Sequence, residues 1–91
     1  MKLTVLSPKR IVFEGVAHSV QLAGDLAEFE ILDYHAPIVS LLRPGNVVVD
    51  GAKKIPINRG MVKFSGDDCV ILVEEASPRL QAVVQTGVRQ D

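Results

Sequence analysis

Turn-forming residues punctuate this chain at short and regular intervals: Ser7-Pro8, Glu14-Gly15, Gly24-Asp25, Asp33 to Pro37, Pro44-Gly45, Asp50-Gly51, Arg59-Gly60, Gly66-Asp67-Asp68 and Ser77-Pro78. The stretches between them are too brief for ordinary helices and are rich in Val and Ile, whose branched Cβ suits a pleated strand. That spacing predicts an all-β meander of short strands, the habit of a sandwich or barrel. With 91 residues the chain supports one modest core. An apolar share of 47% supplies that core, and a charged share of 23% fits neither a disordered nor a membrane-embedded chain.

Two segments show the period of two that separates a buried strand face from a wet one. In Val16 to Leu22, the residues Val16, His18, Val20 and Leu22 are expected on one side, with Ala17, Ser19 and Gln21 on the other. In Leu26 to Ile31, Ala27, Phe29 and Ile31 are expected inward, leaving Leu26, Glu28 and Glu30 as an acidic ledge beside Asp25. Asp50-Gly51 reads as a hairpin turn, because Gly tolerates positive φ. Pro56 lacks a ladder donor and is assigned to an edge or a strand end. Met61 to Ser65 and Cys69 to Glu74 form a second hairpin. Its later strand is apolar on both faces, as in a central strand or one with a face reserved for a partner.

After Ser77 the pattern changes. Ser77 could cap and Pro78 begin a two-turn helix with Leu80, Val83 and Val84 at helical spacing, yet Leu80, Ala82 and Val84 also alternate as a strand would. The chain is therefore divided into a folded domain, 1–76, and a weakly structured tail, 77–91.

Catalytic chemistry finds little to work with. Asp33-Tyr34-His35 offers an acid and an imidazole, but no Gly-x-Ser-x-Gly elbow accompanies them, and the reading preferred for His35 is a loop-ordering hydrogen bond to backbone. His18, His35 and Cys69 match no zinc spacing; His18 is read as a satisfied histidine at the core margin and Cys69 as a small core or interface residue. No phosphate-cradling glycine motif occurs, so no nucleotide is expected to bind directly and no cofactor is expected. A net charge of -1 gives no reason to seek nucleic acid. A single cysteine and a short apolar start predict a reducing compartment, and no apolar run approaches the roughly 20 residues that cross a bilayer.

One stretch is more specific: Gly24-Asp25-Leu26-Ala27-Glu28-Phe29-Glu30-Ile31-Leu32-Asp33-Tyr34-His35-Ala36-Pro37-Ile38, followed by Arg43-Pro44-Gly45. In order and spacing it resembles the signature of the ATP synthase epsilon subunits, called delta in mitochondria, where a Gly-led loop precedes His-Ala-Pro-Leu and then Pro-Gly. Lys2 to Ser7, Phe13-Glu14-Gly15, Asn58-Arg59-Gly60-Met61, Phe64-Ser65-Gly66 and Val70-Ile71-Leu72 extend the resemblance over about residues 2 to 76. Glu30 and Ala27 depart from it, standing where the family usually or often has Gly.

The resemblance implies a flattened antiparallel β-sandwich of about ten short strands that works without catalytic groups, as a rotor piece between the gamma shaft and the ring of c subunits. It implies a ring-facing set, Asp25, Leu26, Glu28 and Glu30, and a gamma-facing set, His35, Ile38, Val39, Met61 and Val73. It further implies a peripheral place at the cytoplasmic face of a bacterial inner membrane, reached only through the complex. The family's carboxy-terminal helical pair is expected to be missing, and with it helical inhibition and ATP binding. The alternative left open by the residues is a free-standing β-sandwich that binds a small ligand or another protein.

Overall fold

The chain reverses at most of the predicted turns, and in this computed structural model residues 1–76 are described. The tail expected at 77–91, with its helix-or-strand reading, lies outside the described residues. The strands are β1 (Lys2–Leu6), β2 (Ile11–Val16), β3 (Ser19–Ala23), β4 (Glu28–Leu32), β5 (Ile38–Leu42), β6 (Gly45–Val49), β7 (Lys53–Ser65) and β8 (Asp68–Glu75). They join in one sheet, ordered β2-β1-β8-β7-β6-β3-β4, with β5 also on β7.

β7 turns that sheet into a sandwich. Its first half, Lys53 to Ile57, pairs with β6; its second half, Gly60 to Phe64, pairs with β5 on one side and β8 on the other. A register shift between Ile57 and Arg59 marks the change of layer, as an extra residue bends a strand. One leaf is thus β2-β1-β8-β7-β5 and the other β7-β6-β3-β4. Alternation along each strand sends Leu3, Val5, Val62, Phe64, Cys69, Ile71 and Val73 from the first leaf against Val20, Leu22, Ile31, Val47, Val49, Ile55 and Ile57 from the second, in a single buried cluster. An isolated bridge between Gly24 and Leu42 ties the β3–β4 connection back to the first leaf.

The Asp50-Gly51 hairpin is present, with φ of 51° and 68° at its two central residues, the geometry of a type I′ turn. Pro56 sits on β7 beyond the end of β8, where its carbonyl accepts from the Ala76 amide at 3.2 Å. Its missing donor therefore falls on the open side of the strand.

Several expectations change. The described residues form eight strands where the resemblance implied about ten, and the reversal expected at Arg59-Gly60 is absent: β7 runs through it for 13 residues. Gly60 is needed there for close approach, since a Cβ would stand 2.6 Å from the Leu72 carbonyl oxygen. The β1–β8 pair is parallel in an otherwise antiparallel set. The alternation expected through Val16 to Leu22 breaks between β2 and β3, which leaves Val16 and His18 exposed and Ala17 buried, while Val20 and Leu22 point inward as expected. Ala27 is exposed, in the loop before β4.

Candidate interaction surface

Because paired residues on neighbouring strands share a face, the ladders set outward side chains in rows. On the first leaf Ile11 pairs with Leu6, Leu6 with Leu72, Leu72 with Met61, and Met61 with Leu41. One apolar band thus crosses all five strands on the outside. Ile11, Leu72, Met61 and Leu41 are 56%, 46%, 39% and 60% exposed, and Val70 and Val39 flank them on the next rung. The second leaf shows the opposite character: its outward row is Glu30, Gln21, Val48 and Lys54. A contiguous apolar band on one face only is the composition of a docking surface.

The Gly24 to Ala27 loop projects at one end of the sandwich. Gly24 is close-packed, for a Cβ would meet the Ala27 carbonyl oxygen at 2.6 Å and the Phe29 ring at 2.7 Å. Asp25 donates its amide to the Leu41 carbonyl at 3.0 Å, which props the loop against β5. Leu26 is left 96% exposed at the tip. Of the expected ring-facing set, Asp25 and Leu26 share this loop and Glu28 opens β4 beside it. Glu30 lies farther along β4, facing out from the second leaf beside Gln21.

The expected gamma-facing set is split. Met61 is in the apolar band and Val39 borders it; Ile38 is half-buried against the core. His35 lies beyond β4, its Nδ1–H donating to the Ala36 carbonyl at 2.6 Å and its ring set edge-on to Phe64 at 6.1 Å. That is the loop-ordering bond read from the sequence. Val73 is corrected: only 5% exposed, it belongs to the core, and its neighbour Leu72 supplies the outward surface. Leu6, Ile11 and Leu41 of the apolar band lie outside the expected set as well. The signal for Leu72 was the unbroken apolar run of β8; Ile11 and Leu6 share the band only through cross-strand register, which no local pattern encodes.

At the end of the sandwich away from the Gly24 loop lies a polar network. The Met1 ammonium donates to the Ala17 carbonyl at 2.8 Å and to Asp33 Oδ1, with Asp67 Oδ1 at 3.6 Å. Asp33 Oδ2 is 2.9 Å from His18 Nδ1, and Asp50 Oδ1 accepts from the His18 and Ser19 amides at 2.7 and 3.0 Å. The bond from the Met1 ammonium, then that from His18, hold the Asp33 carboxyl below its usual range. Backbone donors from His18 and Ser19 do the same for Asp50. The ammonium is raised in turn by Asp33. His18 is thus an exposed partner of Asp33 rather than a core-margin residue. These groups brace the end of the sandwich. Cys69 is sealed in the core, burial pushing its thiol up to about 11. Among the described residues no cluster of three or more His, Cys, Asp or Glu could hold a metal ion.

Residues 1–79 match the family model described as the ATP synthase, Delta/Epsilon chain, beta-sandwich domain. The chain is 39% identical over 82 residues to the ATP synthase epsilon chain of Nitratiruptor sp., covering 86% of this chain and 64% of that one. It is 35% identical over 80 residues to the epsilon chain of Sulfurovum sp., covering 84% and 62%. It therefore spans just under two-thirds of the length of these curated relatives. Among solved structures its fold resembles a chain of the Euglena gracilis mitochondrial ATP synthase OSCP/F1/c-ring assembly, with a TM-score of 0.73, 19% identity, and coverage of 97% and 62%. A chain of the Tetrahymena thermophila mitochondrial ATP synthase central stalk and c-ring matches with a TM-score of 0.69, 16% identity, and coverage of 81% and 63%.

Proposed function

This chain belongs to the ATP synthase delta/epsilon family through its β-sandwich domain, and from that premise we propose that it is a non-catalytic rotor part joining the gamma shaft to the ring of c subunits in ATP synthesis coupled to ion transport. The observation that carries the proposal is the apolar band Ile11–Leu6–Leu72–Met61–Leu41, outward on one leaf and without counterpart on the other. A durable clamp needs well over ~1,000 Å² with a dry centre, and only the first leaf offers an apolar centre of that kind. Gamma is assigned to that leaf.

The Asp25-Leu26 tip and Glu28 are assigned to the ring. An exposed carboxylate–cation pair is worth only ~0–1 kcal/mol, so these charges orient the contact while apolar area holds it. In this role the sandwich passes torque as a rigid block. Its continuous sheet suits the task, because backbone pairing links both leaves through β7. The domain reaches the cytoplasmic face of the membrane only through the complex. By itself it neither binds ATP nor inhibits hydrolysis, and equilibrium dialysis with ATP is expected to show no retention.

Gel filtration of the chain with the gamma subunit of the same organism tests the reading. Co-elution is the expected result. A lone peak at the size of the free chain would replace the rotor reading with that of an independent binding module.

A further inference from the structure

The leaves have four free edges, at β2, β4, β5 and the first half of β7, and a bare strand edge invites pairing with a foreign strand unless something blocks it; the β7 edge carries Lys53, Lys54 and Pro56. β2 carries a register shift opposite Val5 and Leu6 and holds Glu14, so its edge is irregular. β4 carries Glu28 and Glu30. β5, with the sequence Ile-Val-Ser-Leu-Leu, has neither charge nor proline, and its pairing with β7 is unshifted.

The hydrogen-bond pattern tells which of its groups are open. The Leu41 carbonyl accepts from Asp25 and the Arg43 amide donates to the Ala23 carbonyl, so odd-numbered residues here aim their backbone groups away from β7. By that alternation the Val39 N–H, the Val39 C=O and the Leu41 N–H point outward, and among the described residues they have no backbone partner. The Gly24–Leu42 bridge is a first antiparallel rung on this edge, after which the loop peels away. It leaves a cleft between loop and strand, lined by Leu26, Ala27, Phe29, Ile38, Val39 and Leu41. Asp25 and Glu28 border the same cleft, and neither has a salt-bridge partner among the described residues.

We infer that the β5 edge is a strand-addition site: it takes an extended segment of a partner protein, apolar on the side that enters the cleft and carrying a basic residue that meets Asp25 and Glu28. The Val39 N–H and C=O and the Leu41 N–H supply the ladder, the cleft takes alternate side chains, and the two carboxylates select the charge. The inference rests on the assembly role proposed above for the source of that segment and deepens it by naming how the contact is made.

The test uses the full chain labelled with ¹⁵N and a capped heptapeptide of alternating valine and threonine with lysine at both ends, at millimolar concentration. The Val39 and Leu41 amides are expected to shift and to exchange with deuterium roughly ten-fold more slowly, with the β2 and β4 edges unaffected. The same peptide N-methylated along its pairing edge should do nothing. Val39→Pro removes an outward donor without touching the β7 ladder and should abolish binding at an unchanged melting temperature; if that variant unfolds, the methylated peptide decides alone. Absent protection at Val39 and Leu41, or equal effects at β2 or β4, overturns strand addition. That failure with co-elution on gamma intact leaves the rotor reading standing. A lone gel-filtration peak with Val39 protected by the peptide sinks the rotor reading instead.

Discussion

Two glycines in the first leaf show how far a single atom can matter. At Gly60 a methyl group would lie 2.6 Å from the Leu72 carbonyl oxygen and 3.3 Å from Val73 Cγ1, whereas at Gly15 its nearest neighbour is a Phe13 ring carbon at 3.5 Å. Gly60→Ala must push two central strands apart and is expected to cost about 1–3 kcal/mol, read as a lower midpoint in urea unfolding. Gly15→Ala meets only ordinary contact and should stay within ~1 kcal/mol. Equal midpoints for the two variants would refute the close-approach account. Charge makes a second residue-scale prediction. Asp33 is depressed in the fold, so its contribution is present above the unfolded carboxyl value of ~3.9 and is lost as pH falls through the lower folded value. The Met1 ammonium is raised above 8.0, so its share is present below that value and lost as pH climbs through the higher folded one. Melting temperature should therefore plateau at roughly pH 5–8 and fall on both sides. Asp33→Asn should remove most of the alkaline fall, which the Met1–Asp33 pair dominates. It should only reduce the acid fall, because Asp50, Glu74 and Glu75 are depressed too. Unchanged limbs in the variant would show that this network does not brace the native state.

Among the elements, β8 shows both the reach and the limit of reading from sequence. Its run Cys69 to Val73 is apolar throughout, so the pattern identifies a strand with two demanding faces but carries no phase. Phase is set by register with β1 and β7, which turns Cys69, Ile71 and Val73 inward; for that reason the apolar run alone does not distinguish buried Val73 from outward Leu72. Turns with a strong local requirement were legible: Asp50-Gly51 and Gly66 both take positive φ. Arg59-Gly60 misled because glycine marks close approach as well as reversal. His18 misled because the two residues between β2 and β3 reset the alternation. The β8 phase itself can be measured. Ile71→Ala empties a fully buried site between the leaves and is expected to cost about 2–5 kcal/mol. Leu72→Ala, one residue on, removes a half-exposed side chain and should cost less than ~1 kcal/mol. The reverse order in denaturant midpoints would mean the strand is inverted.

For the whole molecule, the decisive property is the difference between its two outer faces. The family signature around His35 was legible because glycine, proline and histidine hold fixed places in loops, yet the apolar band proposed for docking was not, since it is assembled from five strands spread from Leu6 to Leu72. Binding through such a band makes a sharp distinction between two kinds of surface substitution. Met61→Glu places a carboxylate near the middle of the band, between Leu72 and Leu41. In the free domain that side chain reaches water, and the fold should lose no more than ~1 kcal/mol. In a dry interface the same charge must be desolvated without a partner, at an effective cost of several kcal/mol; each ~1.4 kcal/mol is ten-fold in the dissociation constant. Met61→Glu is therefore expected to melt like the wild type and yet to bind gamma at least ~100-fold more weakly by calorimetric titration. Glu28→Ala removes an exposed charge at the loop end, worth at most ~1 kcal/mol, and should bind gamma as the wild type does. If Met61→Glu bound gamma undiminished, or Glu28→Ala lost as much affinity, gamma would not lie on the apolar leaf, and the torque path would have to cross the molecule elsewhere.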